Sequence, residues 1–386
     1  MNKAIINGKL VLPDQVTDGT LIIEDGRIKH ILREQWAVTD QSDIINAGDL
    51  YVLPGLVDIH SDAIEKEIEP RPNTLFPFEM SFYELEKKLA ACGITTMYHS
   101  LSFGDGVGVR DCDRAIEVLK NIHHLRSRRT MINHALHLRY EVLYLEGLAI
   151  VKELIDSGMV DYLSFMNHTP GQGQYAQDEQ YAEYAEKVWG VRGDETKDFL
   201  QGLKDLNQKV DWQQLKKLAQ LAHAKGIHTA SHDDDTIEKV YALQEWGIKV
   251  SEFPVTLETA KYAHQIGLYV CVGAPNVIRG KSHSNNMRAM DAIREGCADI
   301  LCSDYLPTSL LAAVFAVHSE RIGLPQAVNM VSLNPARAVG IDRETGSLEE
   351  GKRADLILVE LRDKYPLVRQ TLSRGVTVYE GNYREA

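Results

Sequence analysis

Histidines and carboxylates recur in this sequence at the ends of short apolar runs. Leu56-Val57-Asp58-Ile59-His60-Ser61-Asp62 ends in a histidine and an acid two residues apart; Phe165-Met166-Asn167-His168 and Ala230-Ser231-His232 each end in a histidine. Asp299-Ile300-Leu301-Cys302-Ser303-Asp304 ends in an acid. One such histidine would be an ordinary, satisfied polar residue. Run ends that carry His60 with Asp62, His168, His232 and Asp304 are different if the fold brings them together, because packed carboxylates repel one another and resist ionising. A divalent cation offsets that repulsion, and imidazole nitrogens with several carboxylate oxygens suit Zn²⁺ or Mn²⁺. The run Asn133 to Glu141 adds Glu141 at its end as a ligand able to bridge two metals. His137 and Arg139 share its parity and lie deeper, where Arg139 either contacts an anion or pairs with a neighbouring acid.

Those residues need elements that end at one place. Eight apolar runs fall between residues 54 and 344: 56–62, 94–99, 131–141, 162–168, 227–232, 249–255, 268–274 and 299–304. Longer helical stretches separate them, the texture of βα units around a parallel sheet. Eight units predict a (β/α)8 TIM-like barrel, whose strand ends converge on one mouth. An open doubly wound sheet is the runner-up, weakened because no G-x-G-x-x-G follows the first strand. Alternation along a strand predicts Asp58, His60 and Asp62 on one face, with Val57 and Ile59 on the other, toward the helices. Residues 1–53 and 345–386 instead alternate short apolar runs with turn residues. Neither end can bury a sheet alone, so the two are expected to form one small β-sandwich-like domain beside the 54–344 barrel. The stretch from Gln172 to about Gly226 is either a lid or a longer excursion around an outer barrel helix.

Composition limits the partners. The 386 residues hold 42 Lys and Arg against 55 Asp and Glu, a net charge of −13, which argues against nucleic acid and anionic membranes. No segment approaches the length of a membrane span. Residues 1–8 lack the pattern of a signal peptide, and the five cysteines form no C-x-x-C pair, so a reducing cytoplasmic setting with free thiols is expected. A homo-oligomer is left open.

The order of "EDGRI" (24–28), "LPGLVDIHSD" (53–62), "SHDD" (231–234), "CSDYLP" (302–307) and "GSLEEGKRADLILV" (346–359) resembles the amidohydrolase superfamily. The resemblance covers essentially the whole chain and implies a metal-dependent hydrolase with a barrel and a composite β-domain. The usual His-x-His of that family is here His60-Ser61-Asp62, and no carboxylated lysine is evident, which leaves Glu141 as the bridge between two ions of Zn or Mn. The added acids favour a harder ion such as Mn²⁺. Asp304 would accept the proton of the attacking water.

Further stretches, among them "DIHSDAIEKEIEPRPN" (58–73), "HALHLRYE" (134–141), "MNHTPGQGQY" (166–175) and "GAPNVIRGKSHSNN" (273–286), resemble the superfamily's diphosphatases of phosphonate breakdown. That likeness implies hydrolysis of a ribosyl triphosphate to a 5-phosphate and pyrophosphate. The chain itself offers phosphate donors in Arg279, Lys281 and His283, on a glycine-containing loop after a strand end, and in Arg71 between two prolines. One competing assignment is an amidohydrolase acting on an amide, cyclic amide or nucleobase. Another is a non-catalytic barrel scaffold, which should have lost ligands.

Overall fold

The computed structural model of the chain describes residues 3–33, 43–175, 177–282, 286–320 and 322–384. Five strands come first: β1 (Lys3–Val11), β2 (Val16–Glu24), β3 (Arg27–Leu32), β4 (Asp43–Asn46) and β5 (Tyr51–Pro54). Eight follow with helices between them: β6 (Leu56–Ser61), β7 (Ile94–Phe103), β8 (Asn133–Glu141), β9 (Tyr162–Met166), β10 (His228–His232), β11 (Val250–Glu252), β12 (Tyr269–Gly273) and β13 (Ile300–Cys302). The chain closes with β14 (Leu356–Arg362), β15 (Tyr365–Ser373) and β16 (Val376–Glu380).

Strands β6 to β13 pair in sequence order, all parallel. The two ends of that order also meet: the Asp62 N–H donates to the Asp304 carbonyl at 2.8 Å, and the Asp304 N–H to the His60 carbonyl at 3.0 Å. The sheet is therefore a closed (β/α)8 barrel. Alternation sorts its side chains. Leu136, Leu138, Tyr140, Leu163, Phe165, Val270, Val272 and Leu301 pack outward under the helices. Tyr98, Tyr162, Ala230, Val250, Cys271, Ile300 and Cys302 fill the interior.

The alternation expected for β6 is corrected. Val57 and Ile59 belong to the interior cluster, not the helix side. Asp58 points away from that interior, and its Oδ1 accepts from the Ser303 and His60 N–H groups at 3.2 and 3.4 Å. Pairing with β7 runs Asp58↔Met97 and then Ser61↔His99, so β6 holds one extra residue. Such a bulge reverses the facing of everything after it, which is why His60 also turns inward although Ile59 does.

Both termini build a second eight-stranded sheet in the order β16-β15-β14-β5-β1-β2-β3, with β4 on β1. It curls around its own core of Ile5, Leu10, Leu21, Ile23, Ile28, Val52, Leu356, Leu358 and Leu372. It braces the barrel through the Thr371 hydroxyl, which donates to the Ala90 carbonyl at 2.7 Å, and the Gly55 N–H, which donates to the Asp355 carbonyl at 2.9 Å. In the 172–226 stretch, the helix Trp212–Ala224 is an ordinary barrel helix that buries Leu215, Leu218, Ala219 and Ala222. The helices Asp178–Trp189 and Asp194–Gln208 instead pack on each other through Tyr181, Ala185 and Leu200. All five cysteines are free.

Candidate active site

Two clusters form where the barrel strands end. In the deeper one His60 is buried, its Nδ1 3.1 Å from Glu252 Oε1. His137 lies beside it with ring centroids 5.1 Å apart, and its two nitrogens bond to the Ser100 and Ser164 hydroxyls at 2.9 and 2.8 Å. The Tyr162 hydroxyl donates to Glu252 Oε1 at 3.2 Å. In the other cluster His168 Nδ1 is 2.6 Å from Glu141 Oε2, and Asp233 Oδ2 stands 3.6 Å from His168 Nε2 and 3.1 Å from His232 Nδ1. Arg139 joins it from below, its Nη2 3.3 Å from His232 Nε2. The His60 and His232 rings, 5.4 Å apart, link the clusters. Ligand-type atoms of His60, His137 and Glu252 lie within 4.8 Å of one another, as do those of His168, His232 and Asp233.

The strand ends hold these groups in costly backbone. Asp233 and Phe253 directly follow β10 and β11, and Asp304 lies two residues beyond β13, with φ of 51°, 55° and 56°. Left-handed φ is unfavourable for non-glycine residues and for Phe above all, and such strain collects at functional sites. Hydrogen bonds hold it. Asp234 Oδ2 accepts from the Ser231 and Ser251 hydroxyls at 2.5 and 2.6 Å, and Lys239 Nζ donates to the His232 and Asp233 carbonyls, each at 3.2 Å. Asp235 Oδ2 accepts from the Gly173 N–H at 2.7 Å, tying in the loop after His168.

The donor atoms fit a divalent cation. Among the described residues Asp62 Oδ1, His60 Nδ1, His232 Nδ1, Asp233 Oδ2 and Glu252 Oε2 are buried and make no aligned hydrogen bond, although His60 Nδ1 faces Glu252 and His232 Nδ1 faces Asp233, each at 3.1 Å. Orphaned buried groups of this kind are costly unless something charged completes them. Electrostatics agrees. Burial, reinforced by the Glu65 carboxylate, pushes Asp62 up to about 6, and burial raises Asp304. Burial also lowers His60 and His137, keeping their rings neutral and able to ligate. Burial disfavours the His168 imidazolium, but Glu141 and Asp233 outweigh it and push the group up to about 9. Asp62 also pairs with Arg110, whose Nη2 is 3.0 Å away and whose Nε reaches Glu65 at 2.7 Å.

The structure thus brings His60, Asp62, Glu141, His168, His232, Asp304 and Arg139 to the strand ends. It does not gather the other expected phosphate donors into either cluster. Arg71 is exposed in the turn Arg71–Thr74, and Arg279 and Lys281 are exposed at the end of the helix Ala274–Arg279. His283 lies outside the described residues. Glu252, Asp233 and Arg110 were missed. Glu252 ends a barrel strand as the others do and shares the inward parity of Val250, a signal sufficient to find it. Asp233 is the first of three adjacent acids, Asp233 to Asp235, and nothing local says which of them turns toward His232.

A sequence model of the amidohydrolase family matches residues 212–379. The chain is 34% identical over 383 residues to the alpha-D-ribose 1-methylphosphonate 5-triphosphate diphosphatase of Escherichia coli strain K12, covering 97% of this chain and 100% of that protein. It is 24% identical over 412 residues to an L-hydantoinase from Paenarthrobacter aurescens, covering 92% of this chain and 84% of that one. Among solved structures, an L-hydantoinase (dihydropyrimidinase) from Arthrobacter aurescens superposes with a TM-score of 0.67 at 16% identity, covering 100% of this chain and 98% of that one. On its full-length relative and on its fold, the chain belongs to the amidohydrolase superfamily.

Proposed function

We propose that the chain is a metal-dependent diphosphatase of phosphonate catabolism that hydrolyses alpha-D-ribose 1-methylphosphonate 5-triphosphate to the 5-phosphate and pyrophosphate. The observation that carries this is the likeness along the whole chain to a curated diphosphatase. The catalytic unit is assigned to 54–344, braced by 1–53 and 345–386.

Two divalent ions, of Zn or Mn, would be held by His60, Asp62, Glu141, His168, His232 and Asp304, with Glu252 and Asp233 as further donors. When bound, such ions lower the pKa of a water and offset charge on phosphoryl oxygens. Asp304 is the group assigned to take the proton of the attacking water. Its backbone is locked to those of His60 and Asp62, which fixes where its carboxyl starts relative to the His60 ring and the Asp62 carboxyl. Arg139 holds a buried positive charge beside His232. It balances the carboxylates there and favours an anionic substrate. Arg71, Arg279, Lys281 and His283 are the residues assigned to the phosphates on the basis of the sequence.

The test is phosphorus NMR of the metal-loaded protein given the ribosyl methylphosphonate triphosphate, with ATP and a panel of cyclic amides alongside. Pyrophosphate release from the first compound is expected. Turnover confined to the amides would replace this assignment with a hydantoinase-like one, and purification without stoichiometric metal, even when Mn²⁺ or Zn²⁺ is supplied, would favour a scaffold.

A further inference from the structure

Among the described residues four cations stand near the strand-end carboxylates, and three are already engaged: Lys239 Nζ is 3.5 Å from Asp234 Oδ1 and donates to the His232 and Asp233 carbonyls. Arg139 is buried against His232, and Arg110 is bonded to both Asp62 and Glu65. Lys66 differs. It lies one helical turn beyond Asp62, its N–H 3.4 Å from the Asp62 carbonyl. Its side chain is exposed, and among the described residues its ammonium forms no ion pair. It rests over the ring of Tyr305, 5.1 Å from the centroid. Tyr305 follows Asp304, whose backbone is hydrogen-bonded to that of Asp62, so the ammonium is tied to both carboxyl-bearing residues.

A cation–π contact positions an ammonium without neutralising it. An ammonium held in one place and not spent on an ion pair is free to meet an anion, which the neighbouring acids alone would repel. We propose that Lys66, on its Tyr305 platform, binds the pyrophosphate moiety of a triphosphate substrate. The proposal rests on the diphosphatase assignment. In that reaction water oxygen bonds to the phosphorus nearest the ribose, and the P–O bond to pyrophosphate breaks with its electron pair. The proton goes to Asp304, and the charge gathering on the departing pyrophosphate is what Lys66 balances.

The experiment uses the full-length, metal-loaded protein, the ribosyl triphosphate as substrate and inorganic pyrophosphate as a binding probe. Lys66→Met should lower kcat/KM about 10- to 100-fold, at or below the roughly 100-fold loss typical of an enclosed donor. It should weaken calorimetric binding of pyrophosphate about 10-fold or more, with metal content unchanged. Lys66→Arg should recover most of both, and Tyr305→Leu should weaken pyrophosphate binding by about 3-fold or more, since the platform is lost. Lys66→Met values within twofold of wild type, or a loss of metal in that variant, would overturn the proposal. If wild type releases no pyrophosphate from the triphosphate, the diphosphatase assignment fails. A Lys66-dependent pyrophosphate affinity would then still support the anion site, and its absence would overturn that as well.

Discussion

Outside the mouth, three groups form a buried chain between β7, β8 and the helix Phe78–Ala91, and it makes a quantitative prediction. His99 Nε2 is 2.8 Å from His134 Nδ1, the rings stack at 5.1 Å, and His134 Nε2 is 2.9 Å from Glu86 Oε1. Phe82 covers both rings. Burial, and then the neighbouring His134, hold His99 far below the ordinary histidine pKa of 6.5. Consider His99→Leu. At pH 7.5 it leaves His134 Nδ1 buried without its partner, which costs about 1–3 kcal/mol. At lower pH the comparison changes, because the unfolded wild-type chain protonates His99 below about 6.5 while the folded protein keeps it neutral. The wild type therefore loses stability as pH falls through 6.5, and His99→Leu does not lose that share. At pH 5.0 the share is about 2 kcal/mol, one and a half pH units at roughly 1.36 kcal/mol each. The deficit of the variant should shrink by that amount between pH 7.5 and 5.0. Urea unfolding of both proteins at the two pH values, with chelator present so that metal does not contribute, measures it. A deficit equal at both pH values to within about 0.5 kcal/mol would refute the claim that His99 is held neutral.

Two further outcomes bear on the site. Asp304→Asn should keep the fold and at least one metal yet lose most turnover, and near-normal turnover would remove Asp304 as proton acceptor. Glu252→Gln keeps the shape of the side chain but removes the charge facing His60, and should lower metal affinity about 10-fold or more, at the lower end of the range for groups supporting a metal site. Equilibrium dialysis with Mn²⁺ or Zn²⁺ reads this, and unchanged affinity would place Glu252 outside the site.

Much of the architecture was legible because barrel strands are short apolar runs with polar ends, and a parallel barrel sends all those ends to one place. His60, His168, His232 and Asp304 could be picked out on that ground alone. What failed was parity where local geometry departs from regular pairing. The extra residue in β6 let Ile59 and His60 both turn inward, and no residue type between Asp58 and Ser61 marks a bulge there. Asp233 adopts a left-handed backbone that no local pattern announces. Basic residues were the least legible group: charge drew attention to Arg279 and Lys281, whereas Arg110 and Lys66 acquire their place only through contacts with Asp62, Glu65 and Tyr305.

Barrel closure also bears on how the protein is made. Ser61 and Ser303 share a hydrogen bond across 242 residues of chain, and Asp62 and Asp304 meet on either side of it. These two strand-end acids therefore cannot meet before β13 has been made, and the sheet that braces the barrel is completed only by β14 to β16.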